Sequence, residues 1–255
     1  MGSFFGDERR LFLFYSNQYM KKLLFAVASL ILFTSCAKQE GNLVITGDIK
    51  GLNQGKIYFQ KVKDTTLTSF KAIKFDGNSS FKTYLDIEEP EVIYLFLDRG
   101  TSNSLDNHIA FFAEKGKMHI SADVDNFTGK AKITGNKNQE LLNDYRSVIT
   151  TYTQKNIEIV ENRIKADWAK NTRVSDSLKK IEDGIVTRKY QFTINFCLNN
   201  PDAEIAPYLA ITEIYDANPK YLDSIYNSLT PKVKQSKYGK KLSEYLDAIK
   251  EDTRN

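Results

Sequence analysis

Apolar residues recur at about every second position through the first half of the chain and at every third or fourth through the second. Period two marks strands and a period near 3.6 marks helices. Strand-like runs cover Leu43–Lys50, Lys56–Val62, Leu67–Phe75, Phe81–Ile87, Val92–Leu97, His108–Glu114, Lys117–Asp123 and Ala131–Thr134. Turn residues separate them: Gly51 to Gly55, Asp76-Gly77-Asn78, Pro90, Lys115-Gly116 and Gly135-Asn136. Asp76-Gly77-Asn78 is a hairpin signal, because these residues tolerate positive φ. Val92–Leu97 is almost wholly apolar, which predicts a strand buried on both faces. The period changes near Lys137. Leu141, Tyr145, Val148 and Tyr152, then Ile157, Val160, Ile164 and Trp168, predict one long helix with a shift of phase around Gln154–Asn156. A break at Asn171-Thr172 separates it from a second long helix carrying Leu178, Ile181, Ile185, Phe192 and Phe196, with Ser175 as its expected cap and Asn199-Asn200-Pro201 as its end. Shorter helices are expected around 206–217, 219–229 and 239–250. The predicted class is α+β. An antiparallel β-sandwich or open barrel occupies residues 43–136, and an all-helical segment with a long helical hairpin occupies residues 137–255.

Upstream of the strands, Met20-Lys21-Lys22 precedes an apolar run from Leu23 to Phe33, followed by Thr34-Ser35-Cys36. The run is too short for a bilayer span, which takes about 17–25 residues. Two lysines, a short apolar core and small residues before a cysteine have the layout of a secretory signal. Phe33-Thr34-Ser35-Cys36 resembles the lipobox of bacterial lipoproteins, with Phe33 in place of the usual leucine. That resemblance implies cleavage before Cys36, lipid on its thiol, and a membrane partner through that lipid. Residues 1–35 are then an upstream extension plus signal peptide, and residues 36–42 a polar tether. Cleavage removes four basic and two acidic side chains, so the formal net charge falls from +4 to +2. Acids and bases are interspersed, and no basic stripe points to nucleic acid. With Cys36 lipidated, Cys197 is alone, so no internal disulfide and no CxxC dithiol can form.

The chain contains two histidines, His108 and His119. Neither sits in a metal motif, and a zinc site takes at least three protein ligands. No metal or cofactor is expected. Cys197 lies on an apolar face near a helix C-terminus, where the dipole opposes a thiolate. Asp98, Glu114, Asp123 and Asp125 follow strands and read as solvated strand ends, with paired-acid glycoside chemistry as the sharper alternative. Gly47, Gly51 and Gly55 lack the context of a phosphate loop and read as hairpin glycines. Tyr94, Phe96, Phe111 and Phe112 read as core. Tyr215, Tyr221, Tyr226, Tyr238 and Tyr245 run through the last helices as inter-helix filling or an interaction surface. No catalytic constellation is assigned.

Ile45-Thr-Gly-Asp-Ile-Lys-Gly-Leu52 with Gly55-Lys-Ile-Tyr-Phe59, Phe75-Asp-Gly-Asn78 with Phe81, Glu114-Lys-Gly-Lys-Met-His-Ile120, and Ile133-Thr-Gly-Asn136 together resemble DUF4369, a domain of unknown function common in lipoproteins of Bacteroidetes. Asn200-Pro-Asp-Ala-Glu-Ile-Ala-Pro-Tyr208 and Ser236-Lys-Tyr-Gly-Lys-Lys-Leu242 resemble the helical segment that precedes a thioredoxin-like domain in many relatives. In this sequence nothing follows Asn255, so the relatives' catalytic dithiol has no position to map onto. Asp64-Thr65-Thr66, Asp176-Ser177-Leu178 and Asp223-Ser224-Ile225 resemble the O-glycosylation pattern of the same bacteria, which marks Thr65, Ser177 and Ser224. The resemblance implies a lipid-anchored, non-catalytic envelope protein that binds or assembles, held at the outer membrane. The lack of several acids after Cys36 favours the periplasmic face. Two alternatives stand beside it. One is the docking half of a thiol–disulfide oxidoreductase system, reaching an envelope partner through the C-terminal helices. The other is a hydrolase using the carboxylates near Asp98 and Asp123.

Overall fold

The computed structural model describes residues 41–64, 66–100 and 104–252. The signal segment, Cys36 and Thr65 lie outside them. Among the described residues the first half forms eight strands: β1 Leu43–Lys50, β2 Gln54–Lys63, β3 Thr66–Asp76, β4 Ser80–Leu85, β5 Glu91–Asp98, β6 His108–Ala113, β7 Gly116–Asp123 and β8 Lys132–Thr134. They pair into two four-stranded sheets, ordered β4-β1-β7-β8 and β3-β2-β5-β6. Neither sheet closes on itself, so the architecture is an open sandwich.

Alternation builds the core. Leu43, Ile45 and Ile49 of β1 face Ile57 and Phe59 of β2, Ile93, Leu95 and Leu97 of β5, and Phe111 of β6 in one buried cluster between the sheets. The second sheet is antiparallel throughout. The first is mixed, which corrects the purely antiparallel expectation: β1 and β7 run parallel from Leu43↔Gly116 to Lys50↔Asp123. Alternation specifies which face is buried, not strand direction, and parallel neighbours need a long crossover. Here β2 to β6 supply it. Gly47 is also corrected. It lies in the middle of β1 between Phe81 and Ile120, not in a hairpin turn. Gly51 and Gly77 do lie between strands with positive φ, and Gly55, also at positive φ, is inside β2. None of them closes a hairpin: the chain passes from one sheet to the other between β1 and β2, and again at Asp76-Gly77-Asn78 between β3 and β4, which corrects the hairpin expectation.

Helices follow: α1 Lys137–Trp168, α2 Thr172–Asn199, α3 Ile205–Glu213, α4 Pro219–Ser228, α5 Pro231–Lys234 and α6 Lys237–Asp252. α1 begins where the Asn136 side chain accepts the Gln139 N–H. It runs unbroken through the expected phase shift for 32 residues, about 48 Å at 1.5 Å per residue. The cap of α2 is Asn171, which accepts the Val174 N–H; Ser175 sits inside the first turn. Pro219 and Pro231 open α4 and α5, positions where the missing N–H costs nothing.

The helices bury a second cluster that includes Leu142, Tyr145, Ile194, Leu209, Leu222 and Leu242. Val92 of β5 and Phe112 of β6 belong to it. Ile93, Leu95 and Leu97 are therefore covered by the opposite sheet, and on the other face the helices cover Val92 and part of Tyr94. Phe96 stays half-buried, stacked on Tyr58 and His108, so double burial holds only for the first half of the strand. The Tyr238 hydroxyl accepts the Val92 N–H at 2.8 Å, and Glu89 accepts the Lys237 N–H at 2.7 Å. These bonds dock α6 on the start of β5. Among the described residues no helix is long and apolar enough to cross a membrane.

Candidate functional site at the helix-covered edge of the sandwich

β6 and β8 are edge strands of their two sheets, and an exposed edge presents unpaired backbone groups. Side chains on one face of α1 and its cap supply the missing partners. Gln139 Oε1 accepts the Phe112 N–H at 2.7 Å, and Asn136 Nδ2 donates to the Phe112 carbonyl at 2.9 Å. Asn143 Nδ2 donates to the Ile133 carbonyl of β8, and Arg146 Nη1 to the Ala110 carbonyl of β6, each at 2.8 Å. The spacing 136, 139, 143, 146 places all four on one helical stripe. The apolar series through Leu141 and Tyr145 drew the sequence reading away from this polar stripe, whose i, i+3, i+7 period was its available signal.

Below this zipper the two edges and α1 diverge to leave a cleft of about 940 Å³. Its polar lining includes Arg146, Lys132, His108, Thr128, Ser147 and Thr150, with no aspartate or glutamate. Burial pulls the Arg146 pKa below the usual arginine value, yet a guanidinium stays charged at any ordinary pH. His108 stacks on Phe96 at 4.7 Å, and its Nδ1 lies 3.0 Å from the Ser104 carbonyl.

The other candidates separate. The two histidines occupy different sheets, His108 in β6 and His119 in β7. His119 Nε2 is 3.4 Å from Asp48 Oδ1, and its Nδ1 is 3.1 Å from the Thr46 hydroxyl. The order Thr–His–Asp mimics a catalytic triad. However, the His119 and Asp48 side chains are 53% and 45% exposed on an open sheet face, so water screens the charge separation that such a triad must stabilise. Asp98 Oδ1 accepts the Gly100 N–H and Asp123 Oδ1 accepts the Asp125 N–H. Both are turn caps, and the Asp125 N–H bond holds the Asp123 carboxyl below the usual range. Among the described residues no group of three His, Cys, Asp or Glu is placed to hold a metal ion. Cys197 is fully buried, its Sγ donates to the Ala206 carbonyl at 3.3 Å, and burial pushes its pKa up to about 12. Ser177 in α2 and Ser224 in α4 are exposed.

Glu114 lies past the far end of β6, away from Asp98 and Asp123, beside Asn138 and Glu204. Asn138 Nδ2 donates to Glu204 at 3.0 Å and to Glu114 at 3.4 Å, and its Oδ1 accepts the Ile205 N–H. Burial, assisted by the Glu204 charge, raises the Glu114 pKa. Ionised Glu114 thus penalises the folded state at neutral pH, and the penalty disappears as pH falls below the ordinary glutamate value near 4. Glu114→Gln keeps an acceptor for Asn138. It is expected to raise the melting temperature at pH 7, with the gain vanishing below about pH 4. Melting curves between pH 3 and 8 check this; a pH-independent difference would contradict the assignment.

No curated protein and no solved structure matches the chain. Residues 43–142 match the family model described as "Domain of unknown function (DUF4369)", a match that spans the sandwich and the first turns of α1.

Proposed function

We propose that this chain is a lipid-anchored envelope protein that binds or assembles rather than catalyses. Cys36 carries the lipid, the periplasmic face of the outer membrane is its site, and an envelope protein is its partner through the helical arm. The observation that carries the reading is the tip of the α1–α2 hairpin. Trp168 is 81% exposed there, with Ile157 and Ile164 exposed on the same stripe of α1. Below the tip the hairpin holds itself together through an ion pair of Arg163 with Glu182 at 2.9 Å. Exposed tryptophan is enriched at interaction hot spots, and a self-sufficient arm leaves that surface free.

Crosslinking of the full-length protein in intact cells, read by mass spectrometry, tests this. A hot-spot truncation costs about 2 kcal/mol or more, so Trp168→Ala is expected to lower the yield of the specific adduct at least tenfold while leaving the melting curve unchanged. An unaltered adduct would remove the arm as the interface. A thioredoxin-like protein as the captured partner would make this chain the docking half of a thiol–disulfide system.

A further inference from the structure

We infer that the cleft between β6, β8 and α1 is a binding site for an acidic sugar: a hydroxyl-rich unit carrying a carboxylate or phosphate. This concerns a different surface from the helical arm and stands independently of the assembly reading.

Three observations carry it. First, among the described residues the largely buried guanidinium of Arg146 makes one hydrogen bond, to the Ala110 carbonyl, and no direct ion pair. The Glu213 carboxylate acts on it only through space and is itself paired with Lys189 at 3.4 Å. A guanidinium has five N–H donors, and a desolvated charge with no directly bonded counter-charge is costly. An anion in the cleft would supply that counter-charge. Second, Lys132 adds a second cation on the β8 side, and no acid lines the cavity to compete for either. Third, three of the four hydroxyl protons lining the cleft are already committed to backbone carbonyls. Thr150 donates to Arg146, Ser147 to Asp144 and Thr128 to Asp106, at 2.7–2.8 Å. What these oxygens turn outward are lone pairs. His108 behaves alike: with Nδ1 donating to the Ser104 carbonyl, the neutral ring offers Nε2 as an acceptor.

Two cations and a set of acceptor oxygens lining one cleft select a ligand with an anionic group and several O–H donors. A simple inorganic anion would satisfy only the first half, and a neutral sugar only the second. The cavity, about 940 Å³, lies at the upper end of small-ligand sites and leaves room for more than one sugar ring.

Isothermal titration of the detergent-solubilised full-length chain tests the inference. The probes are galacturonate, glucuronate and glucose 6-phosphate, with galactose and inorganic phosphate as the half-matched controls. At least one acidic sugar is expected to bind ten or more times tighter than both controls. Arg146→Gln should weaken it at least tenfold, and Lys132→Gln, on an exposed side chain, should weaken it several-fold without disturbing the fold. The Ser147→Ala, Thr150→Val pair should erase the advantage over inorganic phosphate. A carboxylate sugar and a sugar phosphate binding differently would identify which anion the site takes. No binding of any acidic sugar to the folded wild-type chain would overturn the inference. So would equal binding of galactose or phosphate, or binding that survives both Arg146→Gln and Lys132→Gln.

Discussion

Phe112→Ala is expected to destabilise the chain by about 3–5 kcal/mol and to lower its melting temperature by roughly 10 °C. Phe112 belongs to a strand of the sandwich, but its ring is fully buried in the helical cluster. It packs edge-on against Tyr208 at 5.7 Å and Tyr238 at 5.8 Å between ring centroids. Tyr238 also caps the Val92 N–H, so the cavity would loosen a hydrogen bond that docks α6. The backbone of Phe112 keeps its bonds to Gln139 and Asn136, so the loss would fall on helix-to-sheet packing rather than on sheet pairing. Urea or thermal unfolding measures the effect. Ile157→Ala, at a side chain 52% exposed, is the control and should change stability by less than about 0.5 kcal/mol. A Phe112→Ala effect as small as the control would mean that the helices do not depend on the outer face of the second sheet.

Gly47→Ala is the second large effect, about 1–3 kcal/mol from overpacking. A Cβ at this position would sit 2.5 Å from the Ile120 carbonyl oxygen and 2.6 Å from the Phe81 ring. Phe81 and Ile120 are its register partners on β4 and β7, so the clash meets both neighbouring strands at once. The ring can tilt, but the carbonyl belongs to the parallel β1–β7 ladder and cannot yield without breaking it. Gly77→Ala separates this from ordinary glycine strain. Gly77 has φ +85° with nothing near its would-be Cβ, so its cost is conformational alone, about 1 kcal/mol. A chevron or equilibrium urea comparison of the two variants is the measurement. Equal losses would show that the close approach at Gly47 relaxes freely.

The eight strand segments and two long helices were legible because each leaves a local periodic trace. Asp76-Gly77-Asn78 set a turn by its own φ preference, but not the expected hairpin, because β3 and β4 lie in different sheets. The apolar run Val92–Leu97 announced a strand that touches both clusters, through Val92 on one face and Ile93, Leu95 and Leu97 on the other. The order of the sheets was not legible. β1 lies between β4 and β7, and no local pattern states that Leu43 pairs with Gly116 in parallel, because pairing across 73 positions depends on how the intervening strands close. The same limit explains Gly47, whose role came from a ring and a carbonyl brought by distant strands.

The helical arm shows the division most clearly. Sequence periodicity predicted a long helix, and it exists. Yet Ile157, Ile164 and Trp168 face outward, while Ile159, Arg163 and Ala166 lose exposure against α2. A repeat near 3.6 shows that residues share a face, but which face meets a partner depends on where the partner helix lies. The candidate site follows the same rule. Asn136, Gln139, Asn143 and Arg146 are polar residues that any surface helix can carry. They become a zipper, and a cleft lined by a guanidinium without a direct ion pair, only because two sheet edges end where that stripe passes. Local chemistry in the sequence determined the elements and the buried thiol at Cys197. Tertiary structure decided strand direction, the exposed stripe of the arm and the cleft, since each arises from groups far apart in the chain whose meeting no local preference encodes.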